Sequence, residues 1–526
     1  MRQSFLYGTV ILIAAGAITR ILGFGNRIVL SRILGAEGMG LYQMVVPLLY
    51  FLISLTTFGL PVAIAKQVAE AEAAYDSAKA QRFLYLSLFI TGALSTLVSV
   101  FLFLGAKTLT NLLFTDTRIT VLLLASIPVI PIASISAVLR GYFQGKHNMT
   151  PTAYSQLLEQ VVRLGVVTAM TSSFMHLGIA YAAAGAVASI IFGEAAGLLY
   201  ILWQYRKAGR RMAEKAIRVP VLATLQQHQP YLRQLIHISF PVTMSRLVGS
   251  VAYLLEPMLV PFALVIAGFP TIEATTLYGQ FAGMAVPLLL FPTFLTYSLS
   301  VSLVPAVAEG AMQQNGPLIH RRIYQAMRIS LVIGAPCTVI LFIFAEPLCG
   351  LLYKSPEVGV LIKEMAPFSV FLFFQAPLAA ALQGLDKANV VLQNTLIGAI
   401  VKIIGMLVLP SQPYFGIHGA VISLNLGITL VTLLHFASLV KGIGFTVNFS
   451  EFVKIGIAML AMGYAGSSMA TYMYHDQMSV TTLLLCSLYS GLLYVVLLIV
   501  LRVLSKQDVV RIPWIGQQLA VFFPRK

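Results

Sequence analysis

Residues 5–32 read FLYGTVILIAAGAITRILGFGNRIVLSR. The run from Phe5 to Gly25 is long and apolar enough to cross a bilayer core of about 30 Å. Yet Arg20, Arg27 and Arg32 fall inside it or just after it. In hydrocarbon the backbone must satisfy its own hydrogen bonds, so an apolar run of this length is a helix. The cations must then be paired, reach to an interface, or face water within the protein.

The rest of the chain repeats the first half of that message. It has 526 residues, 58% hydrophobic and 10% charged, with a mean hydropathy of +0.88. Soluble domains carry about 25% charged residues, so a water-soluble fold is excluded. The period-2 alternation of a membrane barrel is absent. The expected fold is an all-α polytopic membrane protein with about fourteen transmembrane helices. They are placed near 5–25, 41–65, 83–106, 120–141, 154–175, 179–204, 235–261, 277–305, 326–348, 362–384, 390–410, 416–440, 452–474 and 478–503. Cys337, Cys349 and Cys486 lie in apolar runs without metal or disulfide spacing and read as small buried residues. No metal site and no cofactor are expected. A signal peptide starting at Arg2 is set aside in favour of a retained first helix.

Loop charge sets the expected orientation. Arg206, Lys207, Arg210, Arg211, Lys215 and Arg218 follow the sixth span. Arg321, Arg322 and Arg328 follow the eighth, and Arg502, Lys506, Arg511, Arg525 and Lys526 form the tail. Loops of the other parity, such as 176–178 and the turn at His475, are nearly bare. The chain is therefore expected in the cell membrane with both termini cytoplasmic. RKAGRRMAEKAIR at 206–218 is read as topogenic charge, not as a nucleic-acid patch, and no nucleic acid is expected as a partner.

A weak internal repeat organises the spans. LYQMVVPLLYFL at 41–52 resembles LYGQFAGMAVPLLLF at 277–291, and ITRILG at 18–23 resembles MSRLVG at 244–249. QGKHNMTPTAYSQLLEQVVR at 144–163 aligns with QGLDKANVVLQNTLIGAIVK at 383–402. These pairings set Arg20 opposite Arg246 and Arg163 opposite Lys402. Six spans per repeat return the chain to the same side, so the two lobes are parallel and a substrate site is expected between them. The lobes are drawn at 1–228 and 229–445, with two further helices and a tail at 446–526.

An arginine at mid-membrane costs about 2.5–3.5 kcal/mol on insertion scales, so each embedded cation needs a reason. Arg20 and Arg27 are seven residues apart and share a helix face. Glu159 precedes Arg163 by four residues and can neutralise it along the helix. Glu194 and Glu256 are the other acids available, and Glu194, in FGEAAG, is expected to bond a neighbouring helix. Arg20 and Arg246 have no acid near them in sequence. Symmetric cations in the two lobes point to an electropositive, water-filled cavity for an anion. A lipid-linked sugar diphosphate is one such anion, and bidentate guanidinium hydrogen bonds would replace its water. A free soluble anion is the other.

The segments ILIAAGAITRILGFGNRIVLSRILGAEGMGLY, FGLPVAIAKQVAEAEA, SISAVLRGYFQGKHNMTPTAYSQLLEQVVR and TYSLSVSLVPAVAEG closely resemble the polysaccharide transporter branch of the multidrug/oligosaccharidyl-lipid/polysaccharide exporter superfamily. That branch is related to MurJ-type lipid II flippases. The resemblance implies two six-helix lobes in a V that open alternately to each side. It also implies export of a lipid-linked peptidoglycan precursor for the spore cortex. The flippases carry arginines on their first helix. The first maps onto Arg20 through the shared [ST]-R-x-L-G-F pattern. The second falls by spacing on Asn26, a departure that leaves Arg27 as the substitute. The substrate-binding candidates are thus Arg20, Asn26, Arg27, Arg163, Arg246 and Lys402, with Glu159, Glu194 and Glu256 as pairing groups. Expected partners are the anionic lipid-linked sugar, membrane lipids and enzymes of cell-wall synthesis.

Four other readings compete. One is a non-transporting scaffold for a cell-wall complex, in which buried arginines would have no purpose. An exporter of another lipid-linked oligosaccharide fits the same residues. A cation-coupled drug exporter on this fold would want acids in its lobes, and the embedded cations speak against it. A membrane enzyme would need acids or histidines at the membrane surface. Asp116, Glu273, Glu346, Glu357, His475 and Asp476 are scattered and read as solvated loop residues. There is no GxxxxGK[ST] loop, so an ATP motor within this chain is excluded.

Overall fold

The computed structural model describes residues 5–210, 225–447, 449–473 and 479–504. Arg2, Arg211, Lys215, Arg218, His475, Asp476, Lys506, Arg511, Arg525 and Lys526 lie outside the described residues, as do the side chains of Arg210 and Arg246. The described residues contain no strand.

In chain order the helices are α1 (Phe5–Thr57), α2 (Leu60–Ala73), α3 (Ser77–Leu113), α4 (Ile119–Ser126), α5 (Val129–Gly145), α6 (Thr150–Phe174), α7 (Ile179–Arg210), α8 (Leu225–Ile266) and α9 (Thr271–Tyr278). A π-helical segment, Gly279–Ala285, follows. Then come α10 (Val286–Leu290), α11 (Thr293–Met312), α12 (Gly316–Ile343), α13 (Ala345–Tyr353), α14 (Val358–Met365), α15 (Ser369–Gly384), α16 (Ala388–Val408), α17 (Ile417–Ile443), α18 (Phe449–Met473) and α19 (Val480–Val500).

Twelve segments among the described residues are long and apolar enough to cross a membrane. One of them, Ala14–Ala73, covers two of the spans read from sequence. The polar helix α6, with Glu159 and Arg163, is not among the twelve. Several local readings change, two of them near the charged first helix and the repeat. The first helix does not end near Gly25 but continues to Gly35, where φ 65° and ψ −171° break it. Glycine tolerates that left-handed φ, whereas Gly23, Gly25 and Asn26 do not interrupt a helix whose backbone has no water to turn to. The span expected at 277–305 is not one helix. It passes through the π segment, α10 and a turn at Phe291–Pro292 before α11.

The chain divides into two compact units, Met1–Met284 with Pro410–Ile417, and Ala285–Leu409 with His418–Lys526. In the first unit α6 lies along α7 and α1, α2 packs on α5 and α3, and α8 and α9 pack on α1. Its main core joins Leu60, Ile64, Phe83, Leu139 and Tyr142. In the second unit α11 and α12 pack on α15, around Val307, Ile323, Leu378 and Phe445. There α18 and α19 pair with each other and rest on α12.

Candidate functional site

The embedded cations of α1 are the starting point. Arg20 and Arg32 are exposed, and Arg27 is half-buried. Arg27 Nη1 donates to the carbonyl of Ala282 at 3.5 Å. Ala282 belongs to the π segment, a geometry that occurs mostly as short bulges, often at functional sites. Backbone meets backbone close by: a Cβ on Gly279 would collide with the carbonyl of Ala36, and one on Gly40 with that of Thr275. Only hydrogen at both positions lets α1 and α9 approach this far.

Around Arg27 the walls are phenolic and amide groups. Its charge reaches Tyr42 on α1, Tyr253 on α8 and Tyr278 on α9. Gln43 Nε2 donates to Tyr253 Oη at 3.0 Å. Glu256, buried on α8, lies within electrostatic reach of Tyr253 and Tyr278. Asn26 is buried, and its Oδ1, like Gln43 Oε1, accepts no hydrogen bond from the protein. Buried polar atoms are rarely left so, and such atoms are commonly satisfied by bound water or ligand.

A second cluster lies between α5, α6 and α7. Glu159 accepts from Arg163 Nη2 through Oε1 at 2.9 Å and from Arg140 Nη2 through Oε2 at 3.0 Å. Glu194 stands 3.9 Å from each guanidinium. Arg163 and Glu159 are buried, and Arg163 Nε and Glu194 Oε2 make no hydrogen bond within the protein. Two cations and two carboxylates thus neutralise one another. Tyr42 is within electrostatic reach of both Arg163 and Arg27.

A third cluster ties α1, the α3–α4 connection and α9 together. The Arg118 guanidinium donates to Asp116 at 2.7–3.2 Å and pairs with Glu37, and Thr275 Oγ1 donates to Asp116 Oδ2 at 3.0 Å. Asp116 is 3% exposed, so its reading as a solvated loop residue does not hold. The Asp116 hydrogen bond, with Glu37 beside it, raises the affinity of Arg118 for its proton against the opposing effect of burial.

The structure therefore gathers Asn26, Arg27 and Glu256 with Tyr42, Tyr253 and Tyr278, and sets Arg163, Glu159 and Glu194 in the charged quartet. Lys402 belongs to the second unit, where its stem packs on Gly427. Arg140 went unnoticed in the sequence. It sits inside an apolar span exactly as suspect as the one holding Arg20, and the same criterion finds it. The tyrosines could not be singled out, since membrane spans are rich in aromatic residues.

Comparisons agree with this architecture. Residues 5–268 match the family described as polysaccharide biosynthesis protein, and residues 281–408 match the MatE family. The chain is 42% identical to stage V sporulation protein B of Bacillus subtilis (strain 168), over 98% of this chain and 99% of that one. It is 25% identical to the lipid II flippase MurJ of the same organism, over 88% of this chain and 87% of the relative. Among solved structures, a lipid II flippase MurJ in an inward closed conformation superposes with a TM-score of 0.72 at 15% identity, covering 95% of this chain and all of that one. That last likeness speaks for the fold.

Proposed function

The chain belongs to the polysaccharide biosynthesis protein family, a multi-pass membrane transporter and not an enzyme, and on that premise we propose that it flips a lipid-linked peptidoglycan precursor across the cell membrane for spore cortex synthesis. One observation carries the proposal. Arg27 lies half-buried within an apolar span, held by a backbone carbonyl, with no carboxylate paired to it among the described residues. An arginine in that position keeps most of its five donors for an anion.

Moving a diphosphate unaided through hydrocarbon costs tens of kcal/mol by Born reasoning. In this reading Arg27 and Arg20 take the diphosphate, and Arg246 on α8 joins them. Asn26 and Gln43 bind sugar or bridging water. The lipid tail stays in the bilayer while the lobes, 1–228 and 229–445, rock about the bound headgroup. The substrate drives that motion only through unequal affinity for the two states. Arg163 belongs to the neutral quartet and acts by holding α6 against α5 and α7.

The test is headgroup accessibility of a lipid II analogue in vesicles reconstituted with the full chain. Arg20→Ala and Arg27→Ala are expected to abolish flipping while inserting normally. Wild-type rates in both variants would refute the assignment of the site. Retained flipping of a different lipid-linked oligosaccharide, with lipid II ignored, would move the substrate but keep the residues.

A further inference from the structure

The outer face of α3 presents Phe89, Leu97, Phe101 and Leu104 to its surroundings. Between α3, the α1–α2 junction and α8 that face opens into a slot of about 410 Å³. Leu55, Phe58, Ile90, Leu94, Val98 and Ile236 form most of its wall. Thr56 is its one polar lining residue. The Thr56 hydroxyl is already engaged, with Ser134 Oγ at 2.7 Å and with the carbonyls of Leu52 and Ile53. A space so lined has no partner for water. Apolar cavities of about 150 Å³ stay dry and accept small hydrocarbons. Leu97, 68% exposed, and Ile236, 44% exposed, stand at the mouth, where the medium of a membrane-embedded chain is lipid.

A cation marks one end of the slot. Arg82, on the same helix, lies about 12 Å from Ile90 along the axis at 1.5 Å per residue. Its Nη1 donates to Tyr231 Oη at 3.2 Å, and its guanidinium sits 5.9 Å from the Tyr231 ring centre. Tyr231 adjoins Leu232 of the slot wall, and the exposed Arg233 follows. Phe83 meets the Tyr231 ring edge-on at 5.2 Å, which fixes the phenol in place. A guanidinium with donors to spare thus stands at headgroup distance from an apolar channel. The slot shares no residue with the surroundings of Arg27.

We propose that this is a binding site for an anionic membrane phospholipid, with one acyl chain in the slot and the phosphate on Arg82. The charge complementarity of Arg82 and Arg233 selects an anionic headgroup. The run from Ile90 to Val98, about 12 Å, matches one stretch of acyl chain rather than a long polyprenyl tail. The lipid braces α3 against α8 independently of what the protein transports.

The experiment equilibrates the full chain in detergent with equal phosphatidylglycerol and phosphatidylcholine, then quantifies co-purifying lipid by mass spectrometry. Phosphatidylglycerol is expected to be retained preferentially. Arg82→Gln should lower that preference about fivefold, the effect of one basic residue near an anionic lipid. Leu97→Trp, at the exposed mouth where folding is not at stake, should reduce retention of both lipids. Equal retention of the two lipids by the wild type overturns the proposal, as does retention unchanged in Leu97→Trp. Displacement of phosphatidylglycerol by a polyprenyl diphosphate also overturns it, by giving the slot to the transported lipid.

Discussion

The hairpins α6–α7 and α16–α17 sit at corresponding places in the sequence repeat and are built from opposite chemistry. The first buries Glu159 and Arg163 beside Arg140 and Glu194. The second holds a neutral trio, Asn394 and His435 buried and Ser438 half-buried, in which Asn394 Nδ2 lies 3.1 Å from His435 Nδ1 and donates to Ser438 Oγ at 3.0 Å. The aligned segments set Ser155 opposite Asn394 and Glu159 opposite Gly398. Each hairpin closes on glycines: Gly193 of α7 faces Glu159 and Arg163, and Gly427 of α17 faces Lys402. On α7, Gly197 leaves room for the Arg140 guanidinium, 3.2 Å from where a Cβ would stand. On α16, Gly398 leaves room for Val431 of α17. A buried ion cannot be adjusted singly, because each carboxylate answers for two guanidinium groups. A neutral trio can lose a member and leave only a weak hydrogen bond unmade.

That contrast predicts the size of mutational effects. Glu159→Ala is expected to do the most damage, about 3–5 kcal/mol, because it strips the buried Arg163 and the half-buried Arg140 of their shared acceptor. Thermal unfolding in detergent measures it. A loss below about 1 kcal/mol would mean that water already reaches the cluster and that the quartet is not a closed neutral set. Joint replacement of Arg140, Glu159, Arg163 and Glu194 by apolar residues of similar size should cost far less than the single change, which sharpens the point. Next comes Gly398→Ala. Its new methyl runs into Val431, and overpacking of this kind costs about 1–3 kcal/mol. The compensating pair Gly398→Ala with Val431→Ala should recover most of that. No recovery would place the strain elsewhere than between α16 and α17.

How much of this was open to sequence reading differs between the same two regions. Apolar length alone located the helices, since hydrocarbon leaves the backbone no alternative. The Glu159–Arg163 pair was legible because four residues on one helix bring the two side chains together. The pairing of Arg140 was not, because its partner Glu159 is nineteen residues away on another helix, and only packing brings α5 to α6. The trio of α16 and α17 was invisible for a related reason: Asn394, His435 and Ser438 carry no charge to flag them within an apolar run. Near Arg27, the apolar run that marks the first helix stops at Gly25, whereas the helix itself continues to Gly35. The π turn at Gly279–Ala285 leaves no sequence signature at all, yet its Ala282 carbonyl is what holds Arg27.

The smallest expected effect tests the neutral side of the comparison. Asn394→Leu removes the amide that contacts both His435 and Ser438. Interhelical hydrogen bonds in membranes average about 0.6 kcal/mol, with a ceiling of about 1.7, because the separated helices find other partners in the bilayer. Ser438 Oγ keeps its bond to the carbonyl of Leu434 at 2.7 Å, so the hydroxyl is not orphaned. Thermal stability should therefore fall by less than about 1 kcal/mol, and flipping should persist. A loss as large as that of Glu159→Ala would show the trio to be as indivisible as the quartet. The difference between the hairpins would then lie in their formal charge and not in their dependence on it.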